Sequence, residues 1–247
     1  MIIVSKNNPV VKSLSSLKEK KFRKESGTFL VEGGKMVSEC AASGLEIVRL
    51  AVREDYTGKL PDLPVVVLGE DAFKAISDEK TPQGIAAEVR IPEYLVKPPK
   101  KSCLLLDGVA DPANVGAIIR TAVAAGYEEL YLADCADPYS PKSVRSSMSG
   151  VFFAKLMQGT REEILEALKG VPMVAADMSG EDVFKFMPPE KFCLCIGNEG
   201  NGLSDSVRSR AKYTVKIPMG VHTESLNAAV SAGIIMYQLT LRNQIKE

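Results

Sequence analysis

From Cys103 onward, short apolar runs alternate with stretches of helical spacing, and few folds accept that pattern. The runs predict strands at 103–106, 129–132, 151–156, 172–176, 192–196 and 213–217. Between them helices are predicted at 113–125, 141–148, 161–169 and 203–209, with a last one at 225–241. Strands that are apolar throughout, rather than on alternate residues, suit burial on both faces. Strand–helix alternation supplies the crossovers that parallel neighbours need. The fold class is therefore α/β, with a mainly parallel sheet covered on both sides. In such sheets ligands bind beyond the carboxyl ends of the strands.

Two strand-to-loop units near the end of the chain fit that rule. Phe192 to Ile196 breaks into a turn holding Gly197, Gly200 and Gly202, where a backbone without Cβ atoms permits close approach. Tyr213 to Ile217 is stopped by Pro218, and Ser225 then stands like an N-cap before an Ala-rich helix.

The first third reads as a smaller α/β unit. Asn7 to Lys20 carries Val10, Val11, Leu14 and Leu17 on one helical stripe. Strands are predicted at 28–31, 46–52, 65–68 and 85–89, with helices at 35–42 and 71–76. Next comes IPEYLVKPPKKS, with Pro92, Pro98 and Pro99, a stiff and exposed linker. The expected organisation is a first domain at 1–90, a linker at 91–101 and a second domain at 102–247.

Formal net charge is zero, but the first 30 residues carry Lys6, Lys12, Lys18, Lys20, Lys21, Arg23 and Lys24 against Glu19 and Glu25. That arm reads as a plausible phosphate contact, although charge alone favours a solvated helix face. No apolar run reaches the roughly 20 residues of a membrane span, and no signal peptide opens the chain. Five cysteines scattered through apolar segments do not form a disulfide framework, which points to the cytoplasm. Cys193 and Cys195 lack a second pair, and with one His in the chain they read as buried apolar residues rather than zinc ligands. No metal is expected. His222 has no serine–aspartate arrangement around it.

Three constellations remain that carry chemistry. In LLLDGVADPANVGAIIRTAVAAG, residues 104–126, Asn114, Gly116 and Arg120 lie on one helix. A mid-helix Gly costs about 1 kcal/mol relative to Ala, so close packing or ligand approach is the reason for it. The bland alternative is a capping Asn and a surface Arg. GNEGNG at 197–202 is spaced G-x-x-G-x-G, not as the dinucleotide fingerprint, and there is no Walker-A pattern. The third is IPMG at 217–220 with ESLN at 224–227.

In this order and spacing the constellations resemble the three motifs of the SpoU-type (TrmH-like) RNA 2′-O-methyltransferases of the SPOUT class. DPYSPKSVRSSMSG at 137–150 resembles the family's connecting segment. FLVEGGKMVSE at 29–39 and TPQGIAAEV at 81–89 resemble the substrate-binding module that precedes many of these catalytic domains. The sequence departs from the usual pattern at Gly220, which follows Met219 directly, and at Ala228 and Ala229.

The resemblance implies a trefoil knot in the C-terminal domain, S-adenosylmethionine as cofactor, RNA as substrate and a homodimer. It implies a cofactor site from Leu194, Ile196, Gly197, Asn198, Gly200, Ile217, Met219, Ser225, Leu226 and Asn227. It gives Arg120 to the ribose hydroxyl, with Asn114, Glu199, Ser225 and Asn227 around it. A guanidinium stays protonated at ordinary pH, so Arg120 is either an unusual base or a group that binds phosphate and stabilises alkoxide charge. RNA contacts are expected from Lys18, Lys20, Lys21, Arg23, Lys24 and Arg145. Ribosomal RNA is the expected substrate. The alternatives are transfer RNA, a base rather than a ribose, or a noncatalytic RNA-binding or ribosome-assembly role.

Overall fold

A computed structural model describes residues 1–223 and 225–244, and divides the chain into two compact units. The first comprises Met1–Pro92 together with Asp137–Phe152, and the second Glu93–Ala136 with the remainder from Phe153. The segment 137–152, placed by the sequence in the second domain, thus groups with the first unit.

The elements in order are β1 (Ile2–Ile3), α1 (Pro9–Ser16), α2 (Lys20–Ser26), β2 (Thr28–Glu32), α3 (Gly34–Ser43), β3 (Ile47–Arg53), β4 (Val65–Leu68), α4 (Glu70–Ile76) and β5 (Ile85–Arg90). There follow β6 (Cys103–Asp107), α5 (Pro112–Ala124), β7 (Glu129–Ala133), α6 (Pro141–Ser147), α7 (Gly150–Phe153), β8 (Lys155–Gly159) and α8 (Arg161–Ala167). The chain closes with β9 (Met173–Asp182), β10 (Cys193–Gly197), α9 (Asp205–Arg208), β11 (Tyr213–Lys216) and α10 (Ala228–Gln244).

In the first unit the sheet order is β1-β4-β3-β5-β2, with β5 antiparallel to both its neighbours. Helices α1 and α4 close one core: Val11, Leu14, Leu68, Phe73 and Ile76 pack together, all buried. The helix expected over 7–20 is shorter, Pro9–Ser16, and a second helix begins at Lys20. Asn8 caps α1 by accepting from the Val10 N–H at 2.9 Å, and Pro9 fits the first turn. The helix stops at Ser16, the Lys18 ammonium donates to the carbonyls of Ala75 (2.9 Å) and Ser77 (2.6 Å), and α2 starts afresh. Segment 137–152 is tied in by polar and aromatic contacts. Arg23 meets Asp137 at 2.6 Å, Arg145 meets Asp78 at 2.7 Å and Glu79 at 3.2 Å, and Tyr139 packs on Phe29 with ring centres 5.0 Å apart.

In the second unit the order is β11-β9-β10-β6-β7-β8, and every pairing is parallel. Cys103, Leu105, Cys193 and Cys195 face a core completed by Ile164, Leu165 and Leu168 of the α8 region and Val207 of α9. The two cysteines are packing residues, and burial pushes the Cys193 thiol well up. Alternation puts Leu104, Leu106, Leu194 and Ile196 on the other face, where α10 packs on β10 and α5.

Three expectations change here. Residues 150–153 are helical and the strand begins only at Lys155. Strand β9 runs on to Asp182 through a polar stretch, and its register with β11 shifts at Thr214/Val215. Gly180 permits that contact: a Cβ there would stand 2.5 Å from the Thr214 carbonyl carbon. The supposed linker is not free of the second unit. Tyr94 and Val96 pack against its core, the Tyr131 hydroxyl donates to the Lys97 carbonyl at 2.6 Å, and the Lys100 N–H donates to Glu129 at 2.8 Å. Among the described residues no helix is long and apolar enough to cross a membrane, and no cluster of His, Cys, Asp or Glu could hold a metal ion.

Candidate functional site

Strands β6 and β10 are neighbours in register, Asp107 beside Gly197, so the loops that follow them leave the sheet side by side. The loop after β6 feeds α5, whose N-cap Asp111 accepts from the Ala113 N–H at 2.9 Å. Asn114 is thus an interior residue of the first helical turn, not the cap. It is buried, and its side chain points at the loop after β10.

That loop is a small closed unit. Asn198 and Gly202 exchange N–H···O=C bonds at 2.9 Å in both directions, and the Asn198 carboxamide oxygen accepts from Gly200 and Asn201 at 3.0 Å. Gly202 is left-handed at φ +68°, and a Cβ on Gly197 would stand 2.3 Å from the Gly202 carbonyl carbon. Both glycines therefore have a reason within the loop. Gly200 stands open, with nothing nearer its Cβ position than Asn198 Oδ1 at 3.7 Å.

Glu199 joins the two loops. Its carboxylate accepts from the N–H groups of Ala110 (3.0 Å) and Asp111 (3.2 Å) and from Asn114 Nδ2 (2.8 Å). Partial burial pushes its pKa up, but these donors more than offset it and hold the carboxyl below its ordinary value. Glu199 is an ionised clamp with its oxygens occupied, which fits positioning rather than proton transfer.

The third segment attaches to the same residue. Asn227 Nδ2 donates to Asn114 Oδ1 at 2.9 Å, while Asn227 Oδ1 accepts from the N–H groups of Ala229 (2.9 Å) and Val230 (3.3 Å). Asn227, not Ser225, caps α10. Ser225 is exposed two residues before it, and Glu224 lies outside the described residues. In the segment after β11, the Thr223 N–H donates to the Gly220 carbonyl at 3.2 Å. Beside it Ile217 and Met219 are half-buried and Leu226 is exposed.

The other expected residues divide. Leu194 is fully buried and Ile196 nearly so, on the face towards α10, so both are core residues of β10. Arg120 is exposed and takes no part in the Glu199–Asn114–Asn227 chain. Lys20, Lys21 and Lys24 are exposed. Arg23 does not fit a phosphate contact: it is 3% exposed and bonded to Asp137 and to the Leu17 carbonyl. Lys18 and Arg145 are likewise engaged by protein oxygens.

Sequence reasoning missed Asp107. It is a carboxylate 1% exposed at the end of an apolar strand, accepting from Ser204 N and Oγ at 2.7 Å and from Arg161 Nε at 2.7 Å. Its signal was present, since Asp is the one charged residue in LLLD.

The loop composition suits S-adenosylmethionine. An adenosine asks for apolar walls rather than a charged pocket, and Ile217, Met219 and Leu226 are apolar residues of this segment.

Comparisons with known proteins identify the family. Residues 101–237 match the SpoU rRNA Methylase family, and residues 8–87 match the MRM3-like substrate binding domain. The chain is 35% identical over 245 residues to the 23S rRNA (guanosine(2553)-2′-O)-methyltransferase RlmP of Bacillus subtilis, covering 96% of this chain and 98% of that protein. It is 36% identical over 225 residues to the 23S rRNA (uridine(2479)-2′-O)-methyltransferase of Streptomyces viridochromogenes, covering 85% and 74% respectively. Among solved structures, an AdoMet-bound rRNA methyltransferase from Sinorhizobium meliloti superposes with a TM-score of 0.87 at 27% identity, over 97% of each chain.

Proposed function

The chain belongs to the SpoU rRNA methylase family, and from that premise we propose that it methylates a ribose 2′-hydroxyl of large-subunit ribosomal RNA. The observation that carries this reading is the chain Glu199–Asn114–Asn227, which binds the loops after β6 and β10 to the start of α10.

Bound S-adenosylmethionine supplies an electrophilic methyl on a sulfonium. In our reading the segment 217–220, the edge at Gly200 and the 225–227 turn hold the cofactor's adenosine and methionine parts. Asn114 and Asn227 keep those walls in register, and Glu199 stays ionised to anchor both. Leu194 and Ile196 contribute as the core behind the site. Arg120 offers a guanidinium to the phosphate beside the target ribose and to the negative charge that grows on its oxygen.

Because Arg120 stands outside that network, we assign it to a site completed by a second copy of the chain. The seam is the outer face of α10, where Val230, Tyr237 and Leu241 are exposed and Ile234 half-buried at helical spacing. The first unit selects the RNA, with Lys20, Lys21 and Lys24 as its phosphate contacts, and the enzyme works in the cytoplasm.

The test is methyl transfer from labelled S-adenosylmethionine to unmodified 23S rRNA, followed by mapping. Label retained on ribose after the bases are removed is the expected result. Label on a free base, or none on ribosomal RNA, would overturn the reading.

A further inference from the structure

We propose that Asp107 is a positioning residue for cofactor binding, acting through Ser204 and Arg161 on the loop 197–204; this rests on the methyltransferase reading above. Burying a carboxylate is costly unless every lone pair is answered. Asp107 is answered on both oxygens: Oδ2 takes the N–H and hydroxyl of Ser204, and Oδ1 takes Arg161 Nε. Arg161 is itself steadied by Asp134, 2.8 Å from Nη1. An apolar residue would end β6 with less desolvation, so the stability of the strand alone does not call for a charge.

What the charge does is directional. The next residue, Gly108, is left-handed at φ +75°, and its carbonyl accepts from Asn198 Nδ2 at 2.8 Å. Residues 107 and 108 therefore hold the Gly-rich loop at both its ends, at Asn198 and at Ser204. The Asn198–Gly202 bonds close the loop on itself and make it one hydrogen-bonded piece. Fixing two ends of such a piece fixes its orientation, and with it the reach of Glu199 to Ala110, Asp111 and Asn114. A ligand-binding wall needs that kind of preset geometry, because a small tilt spoils several contacts at once.

The test measures S-adenosylmethionine binding by calorimetry and steady-state methylation of 23S rRNA, in full-length protein. Ser204→Ala removes one hydroxyl donor and keeps the N–H. It should weaken cofactor binding roughly 10-fold and raise its KM in step, with kcat at saturating cofactor within about twofold, the scale of one charge-assisted hydrogen bond. Ser204→Thr restores the hydroxyl and should return both constants to within about twofold of the parent. Asp107→Asn should weaken binding by about 10- to 100-fold. Cofactor Kd and KM unchanged in Ser204→Ala, with only the melting temperature lowered, would overturn the proposal and leave Asp107 as a fold residue. If Asp107→Asn does not fold, the alanine and threonine variants at 204 decide between the two outcomes. A parent protein that binds cofactor in this pattern yet methylates no RNA would sink the assigned reaction and not this inference.

Discussion

Asn227 and Asn114, far apart in the chain, share a hydrogen bond of 2.9 Å from the cap of α10 to the first turn of α5. Each amide is used twice. Asn114 also donates to Glu199, and Asn227 also caps its own helix. Removing either side chain releases more than its own contact.

Asn227→Ala is therefore expected to weaken cofactor binding by about 10-fold or more and to fray α10, because it removes a cap worth about 1 kcal/mol along with the bond to Asn114. Calorimetry and far-UV circular dichroism together check this. Normal affinity would remove Asn227 from the cofactor wall.

Arg120→Ala should leave that affinity alone and lower kcat by roughly 10²- to 10⁴-fold, the range for a group that stabilises developing charge. If Arg120 serves the partner's site, equal mixing of inactive Arg120→Ala and Asn114→Ala subunits gives hetero-dimers with one complete site, restoring about a quarter of full activity. No recovery on mixing would confine Arg120 to its own protomer. Tyr237→Glu with Leu241→Glu should give monomers by light scattering.

Glu199 gives the site a pH signature. Its folded pKa is lowered, so its contribution is fully present above the ordinary value of 4.5 and lost as pH falls through the lowered one. Cofactor affinity should be independent of this group at neutral pH and fall only in acid below that value. Glu199→Gln should weaken binding at every pH and abolish the acid limb. A parent whose affinity fell between about pH 7 and 6, where no carboxylate of ordinary or lowered pKa titrates, would show that another group governs it.

Arg23 and the neighbouring lysines should part company. Lys20, Lys21 and Lys24 replaced by Gln should reduce the salt slope of log RNA affinity by about 2 to 3 units if all three touch phosphate. Arg23→Ala should leave the slope unchanged and instead cost about 3–5 kcal/mol of stability, since it strands Asp137 in a largely buried place.

The sheet of the second unit was legible because strands buried on both faces are apolar throughout, and CLLLD and CLCIG could be little else. VFFAKL misled, since a short apolar run fits a buried helix turn as well as a strand. Ser225 and Asn227 are both good caps by type. Only the bond to Asn114, a contact across 113 positions, selects the second. The role of Arg23 was hidden for the same reason: its partner lies 114 residues away. Charge in a sequence does not reveal whether it faces water.

Deleting the first 92 residues would leave 137–152 without the surface it packs on. Asp137, Tyr139 and Arg145 would be stripped of their partners, so rapid proteolysis within 137–152 is expected for the fragment 93–247. Resistance equal to that of the whole chain would show that the segment refolds alone.

The discontinuous first unit also limits how such a gene can be recombined. A module contained in one stretch of chain can be exchanged between relatives by a single junction. This one cannot, because the stretch 137–152 of it is written in the middle of the other unit. A chimera carrying a foreign first unit would need matching changes at two distant places, Arg23 with Asp137 and Asp78 with Arg145. The first unit is thus inherited together with the stretch 137–152, as one compatible set.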